Sequence, residues 1–95
     1  MFNAHVKEYL YYCLMKNIPQ LAEVFGEILT EERKRANFSQ EKLAEEIDAT
    51  NVFISLLVNG QRQPSLNTTI LIANALGISA GDFVAKVCHK LDNLK

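Results

Sequence analysis

The stretch Ser39-Gln40-Glu41-Lys42-Leu43-Ala44-Glu45-Glu46-Ile47, then Asp48-Ala49-Thr50, then Asn51-Val52-Phe53-Ile54-Ser55-Leu56-Leu57 decides the fold. Ser39 and Thr50 carry short side chains whose oxygens accept hydrogen bonds from the first turn of a helix, so each opens one. Leu43, Ala44 and Ile47 recur at helical spacing in the first segment, as do Ile54 and Leu57 in the second. Between them lies a turn of three residues, too short for anything but two helices meeting at a steep angle. Ala44 has to be small where the helices cross, and Ala49 and Ile54 point into the angle. Position 48 requires a left-handed backbone, which Asp tolerates better than most residues.

Working outward, four further helices can be read. Asn17 and Gln20 resemble a capping box with Pro19 in the first turn, opening a helix that runs to about Ala36. Its buried face is Leu21, Val24, Phe25, Ile28 and Leu29. Its end, Arg33-Lys34-Arg35, suits the negative pole of the helix, and Asn37 supplies a left-handed turn. Downstream, Asn59-Gly60 stops the second motif helix and 61–64 is a loop. Ser65 caps a helix from Leu66 to Leu76 that Gly77 closes. Ser79 and Asp82 begin a last helix bearing Phe83, Val84, Val87, Cys88 and Leu91. Near the amino terminus, residues 3–16 have helical spacing but are apolar almost all round, with Tyr9, Tyr11, Tyr12 and Met15, so that segment calls for burial on more than one side. A strand is the alternative there.

The 95 residues fit one compact domain, and 48% apolar residues suffice for a core. We divide the chain into an extension, 1–18, serving packing or dimerisation, and a domain, 19–95. Cys13 and Cys88 stand apart inside apolar patterns and read as reduced, buried thiols. His5 and His89 have no ligand or nucleophile at useful spacing. No Ser/His/Asp or Cys/His set, metal cluster or phosphate loop is present, so neither catalysis nor a cofactor or metal is expected. The longest apolar run, Tyr9 to Met15, falls short of the roughly 20 residues that span a bilayer, and no basic segment of a signal peptide precedes it. No membrane association and a cytoplasmic location are the expectation.

In this order, Ser39-Gln40, Leu43-Ala44, Ile54-Ser55, Asn59-Gly60, Pro64-Ser65-Leu66 and Ala73-Asn74-Ala75-Leu76-Gly77 resemble the phage-repressor type of helix-turn-helix, the Cro/repressor-like or XRE-like family. The resemblance covers about Phe25 to Phe83. It implies an all-α, lambda-repressor-like five-helix domain, here with an extra amino-terminal helix, that regulates transcription as a repressor on double-stranded DNA. The helix starting at Thr50 would enter the major groove. Gln40 would contact phosphate or brace a reading side chain. Thr50, Asn51, Val52, Ser55 and Leu56 would face the bases: Asn51 suits adenine, and Val52 and Leu56 suit a thymine methyl. Asn59, Gln61 and Arg62 would hold the sugar-phosphate backbone. A homodimer on an inverted repeat is expected, because Tyr9 to Met15, Ile28, Leu71 and the last helix carry more apolar surface than one small domain buries and weak charge makes two reading heads valuable. No small-molecule effector is indicated.

Some residues depart from that pattern. Asp48 stands where Gly is common. Val58 replaces a Glu that would pair with Arg33, so Arg33 needs another partner. Ile28 and Leu71 are apolar at positions usually polar and outward, which calls for cover by the amino-terminal helix or a second subunit. From Ser39 to Gly60 the only base is Lys42, against Glu41, Glu45, Glu46 and Asp48. Phosphate binding would then lean on amides, hydroxyls and Arg62, with Lys34 or Arg35 as a further cation. A different reading makes Val52, Phe53 and Leu56 a docking site for another protein.

Overall fold

The computed structural model describes residues 16–94, which form five helices. They are α1 (Leu21–Arg35), α2 (Gln40–Glu46), α3 (Asn51–Val58), α4 (Leu66–Ala75) and α5 (Ala80–Asp92). The expected helix over 3–16, with His5, Cys13 and the run Tyr9 to Met15, lies outside the described residues.

One device ends the first four helices. A residue with positive φ follows each: Asn37 (62°), Asp48 (58°), Gly60 (71°) and Gly77 (75°). The N–H one residue further on then reaches five residues back. Phe38 donates to the Arg33 carbonyl (2.9 Å), Ala49 to Ala44 (2.8 Å), Gln61 to Leu56 (2.9 Å) and Ile78 to Ala73 (3.0 Å). This six-to-one closure satisfies carbonyls that a helix end leaves without partners and reverses the chain within two or three residues. Four helix starts are equally uniform. Ser39, Thr50, Ser65 and Ser79 accept from the N–H of Lys42, Phe53, Thr68 and Asp82 at 3.0–3.1 Å. Each such cap contributes about 1 kcal/mol.

The expected start of α1 is corrected. The helix begins at Leu21, and Gln20 sits at its cap with φ 65° and no side-chain cap bond. In the expected box Asn17 would be the cap and Gln20 the third helical residue, and a left-handed Gln20 is not helical. Pro19 and Gln20 instead lie in a turn closed by the Leu21 N–H on the Ile18 carbonyl (3.3 Å), and Asn17 precedes it.

Helix α1 is the spine, packing on α3 and α5. Leu29, Leu43, Ile54, Leu57, Ile72 and Phe83 are all fully buried. The Phe25 and Phe83 rings meet at 5.2 Å between centroids, tilted by 48°, joining α1 to α5. Ion pairs line the same seam. Buried Glu32 pairs with Lys86 and with Arg35, and Lys90 reaches Glu27 (2.8 Å) and Glu31 (3.3 Å). The hydrogen bond to Glu27 holds the Lys90 ammonium above its usual range.

That seam corrects a second expectation. Ile28 is core, 4% exposed, with Ala85, Lys86 and His89 of α5 beside it. The last helix supplies its cover. Leu71 does face outward, 42% exposed. Cys88 is exposed rather than buried, because α5 turns Phe83 and Val87 to the core and leaves Val84 and Cys88 on its flank. No single helix among the described residues is long and apolar enough to cross a membrane.

Helix α1 and the end of α3 approach closely at Gly26. A Cβ on Gly26 would stand 2.5 Å from the Val58 carbonyl oxygen and 2.7 Å from that of Leu57. Gly26→Ala should therefore destabilise the domain, although Ala gains about 1 kcal/mol of helix propensity over Gly. Backbone cannot yield as a side-chain tip does, and overpacking costs typically about 1–3 kcal/mol. Ala44→Leu, at a residue 4% exposed, should lose a similar amount. Thermal unfolding checks both: the midpoint should fall by about 4–8 °C per kcal/mol lost. A rise for Gly26→Ala would show that α3 does not seat there.

Candidate nucleic-acid interface

Three constraints set the attitude of α3. Its start is fixed by the turn, where Asp48 takes the left-handed conformation and the Asp48 N–H closes on the Glu45 carbonyl (3.2 Å). Its inner face is fixed by Ile54 and Leu57, fully buried, and its end by the seat on Gly26. What remains outward is the surface that a partner can meet.

That surface holds the residues expected from the sequence, in unequal positions. Thr50, Asn51 and Val52 are exposed, and Val52 is the most open of them that carries an apolar side chain, at 70%. Ser55 and Leu56 are half-buried, so Leu56 offers only part of its side chain. Gln40, half-buried, opens α2. Asn59, Gln61 and Arg62 are exposed beyond the end of α3. Thr50 has a structural task as well, since its hydroxyl oxygen accepts from the Phe53 N–H.

Two contacts organise the outer residues. The Asn59 side-chain amide donates to the Ser55 hydroxyl oxygen (3.3 Å), along one face of α3 and its cap. The Arg62 guanidinium lies 5.7 Å from the centroid of the Phe53 ring. Within about 6 Å a cation is attracted to an aromatic face, here by about 0.5–1 kcal/mol at an exposed site. Arg62 is thus drawn back towards α3 from the loop that follows it. The α2 cation Lys42 is held likewise, 4.6 Å above Phe38.

Phe38 was not among the residues singled out from the sequence, and Phe53 was named there only for protein docking, not as a seat for Arg62. Their helical positions were legible, but the path of the loop that returns Arg62 was not. Arg33 resolves the question left by Val58. Its Nη1 donates to the Phe38 carbonyl (2.9 Å), which ties the end of α1 to the segment before α2, while its Nε is buried without a hydrogen-bond partner.

The charge on this surface is mostly acidic. Glu41, Glu45, Glu46 and Asp48 are all exposed, with Lys42 as the base between them. The outward positions of α3 carry no charge at all. An anion would meet neutral donors here, with Arg62 as the cation at the rim. Among the described residues no group of three or more His, Cys, Asp or Glu is placed to hold a metal.

A family model described as helix-turn-helix (HTH_3) matches residues 29–83. Two solved structures of the clp gene regulator ClgR from Corynebacterium glutamicum resemble the fold. One superposes with a TM-score of 0.75 at 23% identity, covering 82% of this chain and 83% of that one. The other has a TM-score of 0.71 at 23% identity, covering 81% and 99%. These likenesses concern the fold. No curated protein matches the sequence.

The turn before α3 gives a direct check of how α3 is positioned. Asp48→Val places a β-branched residue at φ 58° and should cost about 1–2 kcal/mol, whereas Asp48→Gly should cost nothing. Urea unfolding measures both. Equal stability of the Val and Gly variants would remove the left-handed turn as a constraint.

Proposed function

The chain belongs to the helix-turn-helix family of DNA-binding transcription regulators, and on that premise we propose that it is a sequence-specific repressor that reads an inverted-repeat operator as a homodimer. One observation carries the reading. Asn51 and Val52 stand exposed on a helix whose opposite face is fully buried, so two readable side chains are held on a rigid support.

The chemistry of those side chains defines the roles. The Asn51 amide can donate to and accept from one adenine edge in the major groove. Val52 offers a methyl surface to a thymine. Thr50, Ser55 and the exposed part of Leu56 flank them. Gln40, Asn59, Gln61 and Arg62 contact sugar and phosphate and set the register. With one cation at the rim, a single domain gains little from counterion release. Two domains engaging one site together raise the effective affinity without further contacts. Exposed Leu66, Ile70, Leu71 and Val84 offer apolar surface for pairing. In this reading the protein is cytoplasmic, works by occupying DNA and takes no small-molecule effector.

The exposed acids around α2 favour a second reading, in which Val52, Phe53 and Leu56 meet another protein. Gel shifts against genomic fragments at low salt separate the two: retarded, competitor-resistant complexes support DNA reading, and none at any salt supports the other.

Two substitutions test the assigned roles. Asn51→Ala should weaken specific binding by about 1–3 kcal/mol and relax base preference at one position per half-site. Retention of both affinity and preference would remove Asn51 from readout. Arg62→Ala should weaken all sequences alike and reduce the salt slope of the binding constant by about one per subunit. Binding titrations across a salt series read this, and an unchanged slope would take Arg62 off the phosphates.

A further inference from the structure

Between Ser39 and Arg62 the chain carries two cations, Lys42 and Arg62. Each lies over a phenylalanine ring, Lys42 over Phe38 at 4.6 Å and Arg62 over Phe53 at 5.7 Å. The second pair joins the start of a helix to the loop beyond its end. Phe53 stands in the first turn of α3, six residues before the cap Asn59, which is about 9 Å of helix rise. Arg62 is therefore brought back along α3 towards the turn that bears Asn51 and Val52. Both partners are constrained. The Phe53 N–H donates to the Thr50 hydroxyl oxygen (3.1 Å), and the half-buried ring packs against the core. The loop is held where it leaves the helix, by Gly60 at φ 71° and by the Gln61 N–H on the Leu56 carbonyl (2.9 Å). Among the described residues, the Phe53 ring is the one partner of the exposed Arg62 guanidinium.

Resting on the DNA reading above, we propose that Phe53 is a positioning residue: it holds Arg62 beside α3, so that the guanidinium meets a phosphate next to the base pair that Asn51 reads. A ring attracts a guanidinium from one side and leaves the N–H groups that point away from it free, and a phosphate takes two of those at once. An arginine on a loop is otherwise ordered only when DNA arrives, and that ordering subtracts from affinity. The aromatic seat removes part of the loss before binding. It matters more here than on a basic surface, since the outward positions of α3 carry no charge. The attraction of a cation to an exposed aromatic face corresponds to about two- to fivefold in an equilibrium constant, which sets the size of the effect.

The experiment titrates a fluorescein-labelled duplex of mixed sequence at low salt with the full chain and with Phe53→Leu, Phe53→Tyr, Arg62→Ala and the double variant Phe53→Leu/Arg62→Ala. Phe53→Leu should weaken binding by about two- to fivefold for each domain engaged. Phe53→Tyr, which keeps the aromatic face, should bind like the parent chain. In the Arg62→Ala chain, Phe53→Leu should cost nothing further. A loss of equal size in both backgrounds would make Phe53 a packing residue and overturn the proposal, as would unaltered binding by Phe53→Leu alone. Proton resonances of the Arg62 side chain give a second readout in the free protein. They should lie upfield in the parent chain, shifted by the ring current of Phe53. Ordinary positions there would overturn the proposal even where the Leu variant does not fold. A parent chain that binds no duplex at any salt would overturn the DNA reading itself and this role with it, an outcome distinct from a parent chain that binds and a Leu variant that binds equally well.

Discussion

The carbonyl oxygens of Leu57 and Val58 occupy the space where a side chain on Gly26 would begin, and the placement of α3 depends on that approach. A helix of eight residues is too short to be stable alone. It persists because Ile54 and Leu57 are buried against the spine and because its final turn rests directly on α1 backbone. Any side chain at position 26 would lift the carboxyl end of α3 and swing Asn51 and Val52 at the other end. The absence of a side chain at one residue of α1 thus fixes the direction in which another helix displays its own.

The connections serve the same purpose. Four successive helix ends use one closure, with a positive-φ residue followed by an N–H that reaches back five residues. Each begins an abrupt reversal, so short helices pack with little intervening loop. The domain spends few residues on connection and many on a core shared by all five helices. Rigidity at the turn matters for reading, because a contact to a base edge is directional and fails with a small tilt of the helix that carries it.

Much of this was legible from the residues, and the reason is local. Caps and stops depend on three to six neighbouring residues, so Ser39, Thr50, Ser65, Ser79, Asn37, Asp48, Gly60 and Gly77 declared themselves. Leu43, Ala44, Ile54 and Leu57 followed from helical spacing. The start of α1 was misread because a capping pattern of residue types says nothing of backbone sign, and Gln20 is left-handed. Ile28 was rightly placed on the buried face of α1, but its cover was misassigned, because that depends on where α5 crosses, which helical spacing within α1 does not encode. Cys88 was misplaced for the converse reason: it lies on an apolar stripe wider than the core that α5 covers. The approach of Arg62 to Phe53 depends on the return path of the loop at 61–64, which no periodicity describes.

The reading surface joins a well-supported scaffold to a chemistry poor in cations. If bases are read through Asn51 and Val52 by two symmetric domains, specificity is carried by adenine and thymine edges rather than by the arginine contacts to guanine that are commonest in direct readout. Selection of bound duplexes from a random DNA library by the full chain tests this most directly. The account predicts enrichment of two inverted half-sites with their centres about one helical turn apart, roughly 34 Å, each with an A·T pair at its core. Recovery of a pool indistinguishable from the starting library, at a salt concentration where the protein stays folded, would contradict it.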